Sequence, residues 1–380
     1  MSDLEPNAKP ATTAQMSATV VQSTTSFAEV LNPIAIDEDG DLEIAVGSGD
    51  DTQSFIVCAK TLARHSPVFK RMLFGGFKES KPTRNETVDW VVELPDDNPK
   101  PFKILLDIIH GWFEQVPELP TLNELTALLV LTDKYDVTSL TRPWAVRWMK
   151  GVQFETQHLN LLPVAWELGK EDVFDAMVTK IANESARSPD GSERLQYGGL
   201  YLDEVTALEP PGLFEAIRQH RAAGVAAELS PYMELYTKLT TATGSDFWCT
   251  RSAELADRHI CDSMLLGSLV MGLLRKGIPI TAAQPAEQYL GSLSFLRATL
   301  RDLQLFVNHE VEISPVVLTC REKLVDWMEQ RSGPAKRLKD EAVLVQHSHK
   351  IRLLQQAQKT GIDRLPASAN TSASRLHTSI

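Results

Sequence analysis

The hydrophobic period of this chain changes twice within its first hundred ordered residues, and this constrains the fold more than any other feature. Asp41-Leu42-Glu43-Ile44-Ala45-Val46 alternates polar and apolar side chains, the pattern of a half-buried strand. The turn-rich Gly47-Ser48-Gly49-Asp50-Asp51 follows, and Phe55-Ile56-Val57-Cys58 supplies a hairpin partner. From Thr61 the spacing becomes helical. Leu62, Phe69, Met72 and Leu73 share a face, and Ser66-Pro67 divides the stretch into two short helices. Asp89 to Leu94 returns to strand character and closes on Pro95-Asp96-Asp97. A mixed α/β unit follows from this order: a short three-stranded sheet with a helical cluster.

Helical patterns dominate the remainder. Lys100–Trp112 carries Phe102, Leu105, Leu106 and Ile109 at three-four spacing, and Leu122–Tyr135 carries Leu125, Leu128, Leu129 and Leu131. Pro117 and Pro120 keep the two apart. A further helix is expected over Leu140–Met149. Beyond residue 154 no strand pattern is evident. Leu161–Ile181, Leu213–Glu228, Glu254–Arg275 and Ser292–Phe306 read as amphipathic or buried helices, and Ser188–Gly199 as a polar loop. The expected organisation is a disordered tail over 1–36, an α/β domain over 37–150, an all-α helical domain over 151–332 and a basic tail over 333–380. Residues 333–380 carry eight Lys/Arg against three Asp/Glu, with one helix expected over Ala335–Lys359 and a frayed end.

Across all 380 residues the formal charge is −12, which argues against broad nucleic-acid binding because phosphate neutralisation needs clustered Lys and Arg. Cys58, Cys249, Cys261 and Cys320 are too few and too dispersed for a disulfide framework. The N-terminal stretch lacks the apolar core of a secretory signal. The longest apolar run, Met264–Leu274, falls short of the roughly 20 residues a membrane span needs. An intracellular protein of the nucleus or cytoplasm is expected.

Motifs for catalysis are missing. The sequence contains no phosphate-binding glycine pattern, no H-E-x-x-H and no nucleophile elbow. Asp96-Asp97 reads as a turn or helix start. Cys249, Cys261, His309 and Cys320 share the C-terminal half, but zinc ligands usually come as close pairs, so buried structural thiols are expected. His347 and His349, two apart, do not share a helical face. Lys336-Arg337-Leu338-Lys339 reads as a solvated charge run, with a nuclear import signal as the alternative. No enzyme activity, cofactor or metal is expected.

The residues of the first unit carry a resemblance. Phe55-x-Val57-x(4)-Leu62-x(3)-Ser66-x-Val68-Phe69-x(2)-Met72-Leu73-x(3)-Phe77-x-Glu79 resembles the signature of the BTB/POZ domain. Val92-x-Leu94-Pro95-Asp96-Asp97, Phe102-x(2)-Leu105-Leu106-x(2)-Ile109-His110-Gly111 and Leu131-x-Asp133-Lys134-Tyr135-Asp136 continue it, in a form similar to the BTB proteins of filamentous fungi. The helical half loosely resembles the BACK-type extension. The resemblance implies a protein–protein interaction adaptor, with a cullin-type ubiquitin-ligase scaffold and a client as partners. Phe77 and Glu79, with Met72 and Phe74 on the preceding helix, would form the partner-binding element. Asp41 matches the aspartate of the charged dimer pocket, which implies a homodimer. The alternative is a BTB-mediated oligomeric scaffold or transcriptional co-regulator without ligase involvement.

Overall fold

The computed structural model describes residues 32–81, 90–190, 192–205, 208–241, 246–249, 254–308, 320–332 and 344–362. The tail expected over 1–36 therefore lies mostly outside the described residues, as do the 336–339 charge run and the frayed end beyond 362. Chain order begins earlier than residue 37, however. Ile34–Ala35 (β1) pairs in parallel with Gln53–Val57 (β3), and the Trp112 indole N–H donates to the Ile36 carbonyl at 2.8 Å. A two-residue strand is too short to show a period, which is why the alternation missed it.

Leu42–Val46 (β2) and β3 form the expected antiparallel hairpin, and Val91–Leu94 (β4) adds in parallel to β2. The sheet order β1-β3-β2-β4 thus has four strands instead of three. Leu42, Ile44 and Val46 alternate inward with Phe55 and Val57 beside them, all buried. Ala59–His65 (α1) and Pro67–Phe74 (α2) follow. Ser66 caps α2 by accepting from the Phe69 N–H at 2.9 Å, and its hydroxyl donates to the Tyr135 carbonyl at 2.7 Å. Pro67 at the first helical position costs no hydrogen bond there.

Pro99–His110 (α3) is capped by Asn98, and Leu122–Lys134 (α4) by a Thr121/Glu124 capping box. The helix expected over 140–149 is a 3₁₀ turn at Thr138–Thr141 followed by Ala145–Val152 (α5), with Pro143 between them. Phe55, Phe69, Phe102 and Tyr135 form an aromatic centre, with Phe69 stacked on Tyr135 at 4.2 Å. Asp97, read as a turn residue, is buried. It accepts from the Tyr135 hydroxyl and pairs with Lys134 at 2.6 Å, tying the β4 turn to the end of α4. Burial, reinforced by Asp97, pushes the Tyr135 hydroxyl pKa well above its usual range.

The stretch 161–181 divides into Leu161–Leu168 (α6) and Glu171–Glu184 (α7) at Gly169, whose φ of +80° is the left-handed region open to glycine. The loop expected at 188–199 is instead part of a three-stranded antiparallel sheet: Ala186–Arg187 (β5), Leu195–Tyr197 (β6) and Leu200–Tyr201 (β7). The helical region is therefore not purely α. Leu213–Thr241 (α8) continues well past Glu228 and through Pro231, because Leu229 before the proline and Tyr232 and Leu235 after it stay buried. Leu255–Leu274 (α9), Pro285–Gln288 (α10), Leu293–Arg301 (α11) and Cys320–Ser332 (α12) follow among the described residues.

Two hydrophobic cores result. The first runs without interruption from the sheet through α6, α7 and the start of α8, so apolar packing does not stop at residue 150. The second joins the rest of α8 to α9, α11 and α12. Arg221 marks the junction on α8. Its buried guanidinium donates to the carbonyls of Tyr289 at 3.0 Å and Gly291 at 2.6 Å, and burial lowers its pKa to about 10.

His347–Thr360 (α13) belongs to the first core. Of the helix expected over 335–359, residues 335–343 lie outside the described residues; the part described is helical from His347 and docked, with Leu353 and Ala357 buried. Thr360 donates to the Leu168 carbonyl at 2.7 Å, and Arg352 and Lys359 pair with Asp133 and Asp136 at 3.2 and 3.6 Å. Lys350 pairs with Glu171 on α7 at 3.4 Å, so the cations of α13 face carboxylates of α7 and of the segment at the end of α4.

Candidate protein-interaction site

Helix α2 buries one face and leaves another bare. Phe69 and Leu73 point into the core, whereas Val68 and Phe74 are exposed and Met72 is half-buried. The loop after α2 is fixed by one hydroxyl. Ser80 Oγ accepts from the backbone N–H groups of Gly76 and Phe77, both at 2.9 Å, and donates to the Met72 carbonyl at 3.0 Å. Gly76 takes φ +79° in that turn. The loop holds the Phe77 side chain 55% exposed, an apolar ring presented to solvent by a hydrogen-bonded support.

A groove of about 440 Å³ opens beside that ring, lined by Pro67, Val68, Arg71, Met72, Phe77 and Asp136. The four residues singled out in the sequence therefore divide. Met72 and Phe77 meet at the groove. Phe74 turns aside to pack edge-on against Trp90 at 6.0 Å between ring centroids. Glu79 is half-buried, and its carbonyl accepts from the Trp90 indole N–H at 3.0 Å. Val68 and Arg71 were missed, although Val68 stands one turn before Met72 on the same face. Asp136 comes from a different segment, and only the tertiary fold brings it here.

Asp41 lies at the start of β2 and does two things at once. One carboxylate oxygen accepts from the Ala59 N–H at 2.9 Å, satisfying a donor in the first turn of α1, where Cys58 offers no side-chain cap. The other pairs with Lys81 at 2.7 Å. Burial works against the charge, but the Lys81 and Ala59 hydrogen bonds outweigh it and hold the carboxyl below its ordinary pKa. The Cys58 N–H finds its acceptor in His110 Nε2 at 3.3 Å, while Nδ1 faces the Leu106 carbonyl at 3.0 Å. That pairing requires the neutral Nδ1–H tautomer. Burial accordingly lowers the His110 pKa.

In the second core, the cysteines dispersed in sequence converge. The Sγ atoms of Cys249, Cys261 and Cys320 all lie within 4.8 Å of one another, and all three residues are buried. Their spacing gave no hint of this, because a loop, α9 and α12 each contribute one. His309, considered with them, lies outside the described residues. Hydrogen bonding to Cys261, burial and Cys249 together push the Cys320 thiol pKa well above its ordinary value. His347 is exposed at the start of α13, whereas His349 is buried and approaches the Pro211 carbonyl at 2.9 Å through Nε2.

Among the described residues no helix is long and apolar enough to cross a membrane. No curated protein matches the chain. The BTB/POZ domain family model matches residues 37–144, a span that takes in β2 to β4 of the main sheet, α1 to α4, the Asp97–Tyr135 tie and the Phe77 groove. Helices continue that unit toward the C-terminus, and within this chain residues 37–144 are a BTB/POZ domain, a protein–protein interaction module.

Proposed function

We propose that this chain is a substrate adaptor: its BTB domain docks on a cullin-type ubiquitin-ligase scaffold, and its helical region recruits a client. The observation that carries the reading is Phe77, an exposed aromatic ring on a loop clamped by Ser80 beside an open groove. An aromatic anchor already held in place loses little conformational entropy on binding, the usual property of an interface hot spot. Glu79 supplies a carboxylate two residues on, suited to fixing register against a basic partner. A dimer routed through Asp41 is less favoured by the geometry, since the partner would have to displace Lys81 from a 2.7 Å ion pair.

Affinity purification of the full chain, run beside a Phe77→Ala, Glu79→Lys double variant, tests the proposal. A cullin is expected among the captured proteins, with recovery reduced at least about tenfold in the variant, equivalent to about 1.4 kcal/mol or more. Absence of a cullin, or equal recovery by the two chains, overturns it. Light scattering after gel filtration addresses the oligomeric-scaffold alternative, which a strict monomer excludes.

A further inference from the structure

The thiol cluster of the second core belongs to no part of the interaction surface. We propose that Cys249, Cys261 and Cys320 form a zinc-binding centre that fastens α12 and the 246–249 segment to α9. Three independent segments of chain deliver the three sulfur atoms to one buried point. The Cys320 and Cys249 sulfur atoms stand 3.5 Å apart, and the third lies within 4.8 Å of both. Sulfur atoms around tetrahedral zinc at about 2.3 Å would be separated by about 3.8 Å, so the trio needs only a small adjustment to close on an ion.

The surroundings match such a centre. Asp262, next to Cys261 on α9, accepts from the Trp248 and Cys249 N–H groups at 2.8 and 2.9 Å. That clasp fixes the loop bearing Cys249, the kind of outer support a metal ligand needs. Lys323, one turn after Cys320 on α12, donates to the Trp248 carbonyl and lies within electrostatic reach of Cys249 and Cys320. Three thiolates around Zn²⁺ leave one negative charge, which the Lys323 ammonium balances. A monovalent copper ion in the same place would leave two, so the charge count favours zinc. Binding forms three zinc–sulfur bonds and releases the three thiol protons to solvent, with no oxidation step. A disulfide fits less well, because it would join two of the sulfur atoms, strand the third and require an oxidant.

Elemental analysis of the full chain, purified reduced and without chelators, should find about one zinc per molecule. Cys249→Ser and Cys320→Ser should each lower that content several-fold, while Cys58→Ser, outside the cluster, should leave it unchanged. Because a serine at a buried site can unfold the region, the wild-type chain carries the decisive measurement. Stripped of metal under reducing conditions and titrated with Co²⁺, it should develop a thiolate-to-cobalt charge-transfer band in the near ultraviolet. Folded wild-type protein with far less than one zinc and no such band overturns the proposal. So does an intact mass showing a Cys249–Cys320 disulfide, or equal zinc loss in the Cys58 variant.

Discussion

Glu167 on α6 shows how far a single position can depart from what its residue type suggests. Its side chain is fully buried and accepts from the Thr138 hydroxyl at 2.5 Å, with Arg352 at 3.5 Å. Burial dominates these partners and raises its pKa to about 7. The folded chain therefore prefers the protonated acid. Its contribution is fully present below the ordinary carboxylate pKa near 4.5 and is lost as pH rises through about 7. Glu167→Gln stays neutral and keeps an acceptor for Thr138. We expect the variant to match wild type at pH 4.5 and to exceed it by about 1–3 kcal/mol at pH 8, measured by urea unfolding at both. A variant-minus-wild-type difference that stays flat with pH would count against the assignment. Residue-scale facts of this kind were the least legible in the sequence. Glu167 sits in an apolar stretch that reads as core, and Asp97 reads as a turn, because long-range partners such as Thr138 and Tyr135 leave no local signal.

At the scale of elements, period reading succeeded where an element was long enough to have one. The hairpin β2–β3, the break at Ser66-Pro67 and helices α3, α4 and α9 all follow from alternation or three-four spacing. It failed for β1 and for β5 to β7, whose two or three residues contain less than two full alternations. Nor does it report that the helix expected in the tail docks, because the partners of α13 lie some 200 residues away in the chain. The contact between α13 and the α6–α7 turn is close enough to test. A Cβ added at Gly169 would fall 2.2 Å from the Ala357 backbone nitrogen, at a φ of +80° that disfavours other residues. Gly169→Ala should therefore cost about 2–4 kcal/mol in denaturant unfolding and expose α13 to limited proteolysis. Wild-type stability in that variant would mean that α13 packs elsewhere.

At the scale of the whole molecule, the described residues form two cores threaded by α8, and the first is closed by its last described helix. The sequence pointed to the BTB/POZ unit because its motif residues are the core and cap positions of that unit: Phe55, Ser66, Phe69, Phe102 and Tyr135. It did not reveal that apolar packing continues from α4 into α6 and then to α13, because no local pattern reports which helices touch. A chain ending at residue 343 should lose several kcal/mol of stability or fail to stay soluble, since it uncovers the surface that Leu353 and Ala357 bury. One ending at residue 362 should unfold in urea like the full chain. Equal stability of the two truncations would show that α13 adds nothing.

The docking of α13 also imposes an order on synthesis. The part of the first core up to Ile217 leaves the ribosome long before residues 353–362 exist. At about 5–20 residues per second, the apolar surface beside α6 waits on the order of ten seconds or more for its cover. During that interval the nascent chain carries a basic helix's binding site without the helix, flanked by Asp133 and Asp136. The interval is a window in which a chaperone, or a basic amphipathic helix from another molecule, can occupy a surface that the finished protein keeps for itself.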